Sequence, residues 1–196
     1  MRLQIVHGED VSVEGAPDQD AGLFGLPHHA VAAVQIVAVP IDMTTSYGKG
    51  TAKAPAAIVA ASHQVDLEWE DAPNVWRYGI QMTEPRWVIA ELNRNAALAS
   101  TTGEPPSETT SRINALSAAV NEIVFQESSA IVRAEKIPAV LGGDHAAPLG
   151  LMRAIHEQNE PYGILHIDAH ADLRDAYGGL RWSHASIMFN VLESCR

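Results

Sequence analysis

Leu165-His166-Ile167-Asp168-Ala169-His170-Ala171-Asp172 closes a short apolar run and then gathers two carboxylates and an imidazole within five residues. Residues 162–168 read as a buried strand that runs out into a loop. Side chains two apart on a strand share a face, so Asp168 and His170 point the same way. Asp172 follows where the chain leaves the sheet. Oxygen and nitrogen donors mixed in this way suit a divalent transition metal such as manganese or zinc.

Ile137-Pro138-Ala139-Val140-Leu141-Gly142-Gly143-Asp144-His145 is a second apolar run. It ends in two glycines, which let the backbone turn sharply, and then an acid and a histidine. Open α/β sheets bind ligands at the carboxyl ends of their strands, so His145 is expected beside the Asp168 cluster. A single Asp or His at a strand end is ordinarily a turn residue or a helix cap. Two such clusters at strand ends favour a metal site.

The chain has 196 residues, enough for one domain with a sizeable core. Its hydrophobic fraction of 46% is that of an ordinary globular protein. A formal charge of −11 excludes the basic face a nucleic-acid binder needs. A lone cysteine, Cys195, permits no internal disulfide, which fits a reducing cytoplasm. The first residues open no long apolar stretch of the signal-peptide kind, and no run is long enough to span a membrane.

Residues 1–33 read as an irregular arm. It contains Asp18-Gln19-Asp20, whose spacing could suit a metal but which follows no strand, and Pro27-His28-His29, read as an exposed polar pair. Residues 34–196 read as one α/β domain. Val34 to Pro40 is the first strand. A Gly-rich loop over 46–51 leads into a helix near Pro55, a residue that suits a first turn. Lys49 lies between glycines, but the spacing fits neither the P-loop nor the dinucleotide fingerprint. Trp76 to Met82 reads as a second strand, and 100–110 as an exposed loop. Ile113, Leu116, Val120, Ile123, Val124, Ile131 and Val132 then recur at three- and four-residue spacing and predict a long amphipathic helix. The strand ending at Gly143, a helix over 146–158, the strand 162–168 and a helix over 185–194 complete the pattern. Alternating strands and helices predict a three-layer α/β/α fold with a mainly parallel sheet.

The Gly142-Gly143-Asp144-His145 and Asp168-Ala169-His170-Ala171-Asp172 motifs resemble those of the ureohydrolase family, which includes arginases and agmatinases. Pro40-Ile41-Asp42-Met43-Thr44-Thr45-Ser46-Tyr47-Gly48-Lys49-Gly50-Thr51 and Trp182-Ser183-His184-Ala185-Ser186-Ile187-Met188 resemble further segments of its agmatinase-like members. The resemblance runs from about Val34 to the end. It implies an arginase-like fold, cut short at the C-terminus, and hydrolysis of a small cationic guanidino substrate, agmatine first, to urea and an amine. It implies two manganese ions. His145 and Asp172 would bind the first, His170 the second, and Asp168 would bridge them. A hydroxide between the ions would attack the guanidinium carbon. His184 would carry the proton to the leaving amine, although from spacing alone it reads as a capping or surface residue. Asp144 and the glycines would orient His145.

Family members carry a later Asp-x-Asp motif that completes both metal spheres, and no strand-end copy of it is found here. The alternative is therefore an inactive or accessory ureohydrolase-like chain that pairs with a complete subunit. A homo-oligomer is the other expected assembly. A zinc amidohydrolase of the related deacetylase architecture is a third reading. Arg174 is expected to pair with Asp175 or another acid. His166 is expected to be a buried, hydrogen-bonded core histidine.

Overall fold

The first strand, β1 (Val34–Val39), carries the apolar run VQIVAV, and Val37, Ala38 and Val39 are all buried. Burial of consecutive residues means both faces are covered, as in a parallel sheet. The protein is described by a computed structural model covering residues 4–6, 22–28, 30–83, 87–101, 103, 105–158 and 162–195. The Asp18-Gln19-Asp20 run and His29 lie outside the described residues. Strand β2 (Ile80–Met82) pairs with one side of β1, and β3 (Ile137–Gly142) with the other. Both pairings are parallel, with Val34 opposite Ile80 and Ile137, and Val39 opposite Gly142.

The order β2-β1-β3 makes β1 the strand at which the chain changes direction across the sheet. The connection from β1 leads to β2 on one side, and the chain then returns to β3 on the other. A crevice therefore opens at their carboxyl ends, the usual ligand position in such sheets.

Among the described residues the α-helices are α1 (Ala54–Ser62), α2 (Trp87–Ala99), α3 (Pro106–Arg133), α4 (Leu149–His156) and α5 (Ile187–Ser194). Pro55 sits in the first turn of α1, where its missing N–H costs nothing. The expected stripe on α3 buries Ile113, Val120, Val124 and Ile131 against Val37, Val39, Ile41 and Met43. Helix α3 also packs on α4. At Gly150 of α4 an added Cβ would come within 2.6 Å of the Asn121 carbonyl, so the two backbones meet there. Among the described residues no helix is long and apolar enough to cross a membrane.

Three elements differ from the sequence expectation. Helix α2 was not expected, yet Ile89, Ala96 and Ala99 form its buried face. The strand expected over Trp76–Met82 is half as long. Val75–Tyr78 makes a 3-10 turn that buries Trp76, and Gly79 at φ +81 turns the chain into β2. The buried strand expected over 162–168 does not form: the segment joins no ladder, and most of its residues are exposed. Its backbone has no hydrogen-bonded neighbour among the described residues. An isolated extended segment has no strand partner to hold its N–H and C=O groups. Leu165 and Ile167 are 86% and 87% exposed, while His166 between them is partly covered.

Candidate metal centre

The carboxyl ends of β1 and β3 are tied together before any site residue is placed. Asp144, just beyond β3, is buried, and its Oδ2 accepts bonds from the amide and the hydroxyl of Thr44, both at 3.0 Å. Its Oδ1 accepts the Ala146 amide at 2.9 Å. Gly143 has φ +25, and a Cβ there would overlap the Ile41 carbonyl. Only glycine lets β3 turn this close to the chain leaving β1. The next residue is His145, so its position follows from the tight turn and the Asp144 anchor.

Asp42 anchors the other side. Its Oδ2 accepts the Gly50 amide at 2.7 Å, and it exchanges two bonds with the Asn93 amide group. Burial raises its pKa, but the bonds from Gly50 and Asn93 and the Lys49 charge outweigh that and hold it below the usual value of 3.8. This clamp shapes the loop over 45–51, which walls the site.

Asp172 has φ +49, a left-handed conformation that Asp tolerates better than most residues. Its carbonyl accepts the amides of Met188 and Phe189, at 3.1 and 3.3 Å. Those are otherwise unsatisfied donors at the start of α5. The Arg174 amide donates to the Ala185 carbonyl at 3.2 Å. The turn is thus held from α5, which aims the Asp172 carboxylate at β3.

Four side chains converge there. His145 Nδ1 lies 2.8 Å from Asp172 Oδ2 and 3.3 Å from Asp168 Oδ2. His166 Nε2 is 3.7 Å from Asp168 Oδ2. One donor atom from each of His145, His166, Asp168 and Asp172 fits within a 4.8 Å span. The backbone amide of His170 donates to Asp168 at 2.8 Å. That bond, with the nearby imidazoles of His145, His166 and His170, holds the carboxylate below its usual range despite some desolvation.

The donor set suits a metal ion. Two carboxylates and two imidazoles face one point, and His166 Nε2 is buried with no hydrogen-bond partner among the described residues. A buried ring nitrogen left in this way calls for a partner. His166 is therefore not the hydrogen-bonded core histidine expected from the sequence. Its spacing, two residues before Asp168 on the same face, was the signal for its place in the cluster.

Of the sequence candidates, His145, Asp168 and Asp172 come together. The His170 ring stands at their edge, 82% exposed, with Nδ1 3.4 Å from Asp168 Oδ1. His184 lies across the opening. Its amide donates to the Thr44 hydroxyl at 3.1 Å, and its Nε2 is 3.1 Å from the Ser46 hydroxyl. Its Nδ1 is buried without a partner among the described residues, and the Tyr177 ring meets it edge-on at 5.6 Å. His184 shares a cavity of about 510 Å³ with His145 and Lys49. It shares another of about 670 Å³ with His170, Asp172 and Arg174. His145 and Asp172 of the cluster therefore each line a cavity with His184. Such an arrangement can hold a divalent ion and pass a proton beside it.

Comparison with known proteins agrees with this geometry. The model of the arginase family matches residues 32–195. An N(1)-aminopropylagmatine ureohydrolase of Synechocystis sp. is 32% identical over 180 residues, covering 90% of this chain and 52% of that protein. Among solved structures, an arginase from Medicago truncatula superposes with a TM-score of 0.62 at 24% identity, covering 84% of this chain and 47% of that one. The agmatine ureohydrolase of Thermoplasma volcanium gives a TM-score of 0.56 at 22% identity, with coverage of 84% and 47%. The chain spans about half the length of the curated relatives it matches. A parallel sheet of this order, a His/Asp cluster at its carboxyl edge and a family match over most of the sequence lead to one conclusion: the chain belongs to the arginase family.

Proposed function

We propose that this chain carries the metal-binding part of a hydrolase that splits a guanidino compound into urea and an amine. The observation that supports the reading best is the cluster of His145, His166, Asp168 and Asp172, of which His145 and Asp172 each line a cavity that His184 also lines. Manganese is the proposed ion, a metal compatible with mixed carboxylate and imidazole donors. His145, Asp168 and Asp172 would hold it with His166, and His170 with Asp168 would serve a second ion. When bound, such ions activate water at neutral pH and offset negative charge as it develops.

The remaining steps fall to the chain's own side chains. A guanidinium carbon is a poor electrophile, so attack must be followed promptly by protonation of the leaving nitrogen. His184 Nε2 is the proton donor, since imidazole exchanges protons near neutral pH. The Ser46 hydroxyl and the Tyr177 ring fix its plane. Water adds its oxygen to the carbon and gives up both protons, the carbon–nitrogen bond breaks, and urea and the amine form; His184 donates a proton to the leaving nitrogen and is reprotonated from that water.

Agmatine, giving putrescine and urea, is the reference substrate. The relative named for N(1)-aminopropylagmatine supports it. The test is urea release from agmatine after manganese loading, together with bound metal per chain by elemental mass spectrometry. Bound manganese and released urea support the reading. Absence of both refutes it. The unpaired segment 162–167 favours a second reading, in which this chain completes its sheet against another subunit. Light scattering coupled to size exclusion, with and without a complete family member, tests that pairing.

A further inference from the structure

We propose that Asn114, on α3, is a positioning residue for His184 and acts through the turn that carries Tyr177. The inference rests on the proton-donor role given to His184 above and concerns what holds that ring in place. The Asn114 side-chain amide reaches the turn with both of its ends. Nδ2 donates to the Gly179 carbonyl, 65 positions away, at 2.9 Å, and Oδ1 accepts the Arg181 amide at 2.8 Å. A carboxamide presents donor and acceptor side by side, so it pairs with a stretch of backbone as a neighbouring strand would. The Thr110 methyl, one helical turn earlier, lies 3.0 Å from where a Cβ on Gly179 would sit. The turn therefore rests directly on α3.

The turn needs such support. Tyr177 and Leu180 exchange two backbone bonds, at 3.1 and 3.0 Å, around Gly178 and Gly179. Both glycines have positive φ, +58 and +80, the two-residue hairpin geometry that glycine permits. A hairpin with a single pair does not hold itself in water. Asn114 fixes its Gly179 side, and Leu180 packs against the core. On the other flank the Arg174 guanidinium stacks on the Tyr177 ring, with Cζ 5.3 Å from the ring centre. The expected Arg174–Asp175 ion pair does not form: Asp175 Oδ1 instead accepts the Ala176 amide at 2.7 Å. Tyr177 then meets the His184 ring edge-on, at 5.6 Å and 75°. His184 Nδ1 is buried without a partner among the described residues, so the ring is oriented by Ser46 at Nε2 and by Tyr177. A shift of the turn moves one of those two restraints. Asn190 Nδ2 separately holds the Arg181 carbonyl at 2.8 Å, so the loss of Asn114 stays local.

The experiment reads His184 directly. Proton–carbon NMR of its imidazole follows the ring-current shift imposed by Tyr177, in wild type, N114A, Y177L and the double variant. Urea release from agmatine by the manganese-loaded proteins gives kcat and KM alongside. N114A is expected to move the His184 signal toward its position in Y177L. Its kcat should fall about 10- to 100-fold, the cost of a displaced catalytic group, with KM little changed. Because Asn114 acts through Tyr177, the double variant should be no worse than Y177L alone. N114D keeps the acceptor for Arg181 and loses the donor to Gly179, so its signal should move less than that of N114A. A His184 signal in N114A that matches wild type overturns the proposal, and so do N114A and Y177L losses that simply add. The NMR needs no turnover: a shifted signal in N114A, with no urea from wild type, strikes the hydrolase reading and leaves the positioning role standing.

Discussion

Asp144 Oδ2 accepts both the amide and the hydroxyl of Thr44, joining the chain after β3 to the chain after β1. The pair is buried, and Asp144 takes a third bond from Ala146. Replacing Asp144 with Ala leaves three donors without their acceptor. The expected cost is about 3 kcal/mol of stability, because stranded buried donors lose more than a bond's net worth. Asp144→Asn should cost less, since one oxygen remains. Urea denaturation of the three proteins measures both values.

Metal binding should divide the histidines. His145→Ala removes the imidazole that touches both carboxylates, and manganese binding at the cluster should be lost. His166→Ala should weaken it about 10- to 100-fold, the usual range for a group that supports a metal site. His170→Ala should remove any second ion and the activity with it, while its exposed ring leaves the fold intact. Calorimetric titration with manganese separates the three. Equal affinity in the wild type and His166→Ala would remove His166 from the site.

Gly150 sets the distance between α3 and α4. Gly150→Val puts side-chain atoms against the Asn121 and Phe125 backbone. Overpacking of this kind typically costs 1–3 kcal/mol, so about 2 kcal/mol is expected here. A lowered urea midpoint with an unchanged slope checks it.

Asp42 makes stability depend on pH in a defined direction. Its folded pKa lies below 3.8, so its charged form is favoured by folding. That contribution is complete above 3.8 and is lost as pH falls through the lower folded value. Asp42→Asn should therefore be less stable than wild type at pH 7, and the gap should narrow below pH 3.8. Urea midpoints for both proteins at pH 7 and about pH 3 test the sign.

Where side-chain periodicity was strong, the sequence was enough. The α3 stripe from Ile113 to Val132 and the apolar run of β1 both became the elements they implied. His145 was legible because two glycines at the end of β3 fix where its backbone goes, and Asp168 and Asp172 because the two-residue spacing keeps them close to it. Other features depend on partners that a local pattern does not contain. Leu165 and Ile167 alternate as in a strand, but a ladder needs a neighbour. Helix α2 has its apolar residues Ile89, Ala96 and Ala99 diluted by polar ones, so its face emerges only against α3. His166 looked like core because burial and metal ligation both place a histidine on an inward face. Its unpartnered nitrogen distinguishes them, and that is a fact of three dimensions. Arg174 had an acid beside it in sequence, yet the Asp175 carboxylate turned back to its own backbone.

The Thr44 hydroxyl donates to a residue 100 positions away and accepts from the His184 amide, 140 positions away. Contacts of such long sequence separation close large loops, whose entropy must be lost before the contact returns anything. Chains rich in them fold slowly. The β1–β3 ladder is as long-range, with Val34 opposite Ile137, and the His184 contact spans still more of the chain. Hydrogen exchange at the His184 amide would report the assembly of the site, and exchange in β1 the survival of the fold.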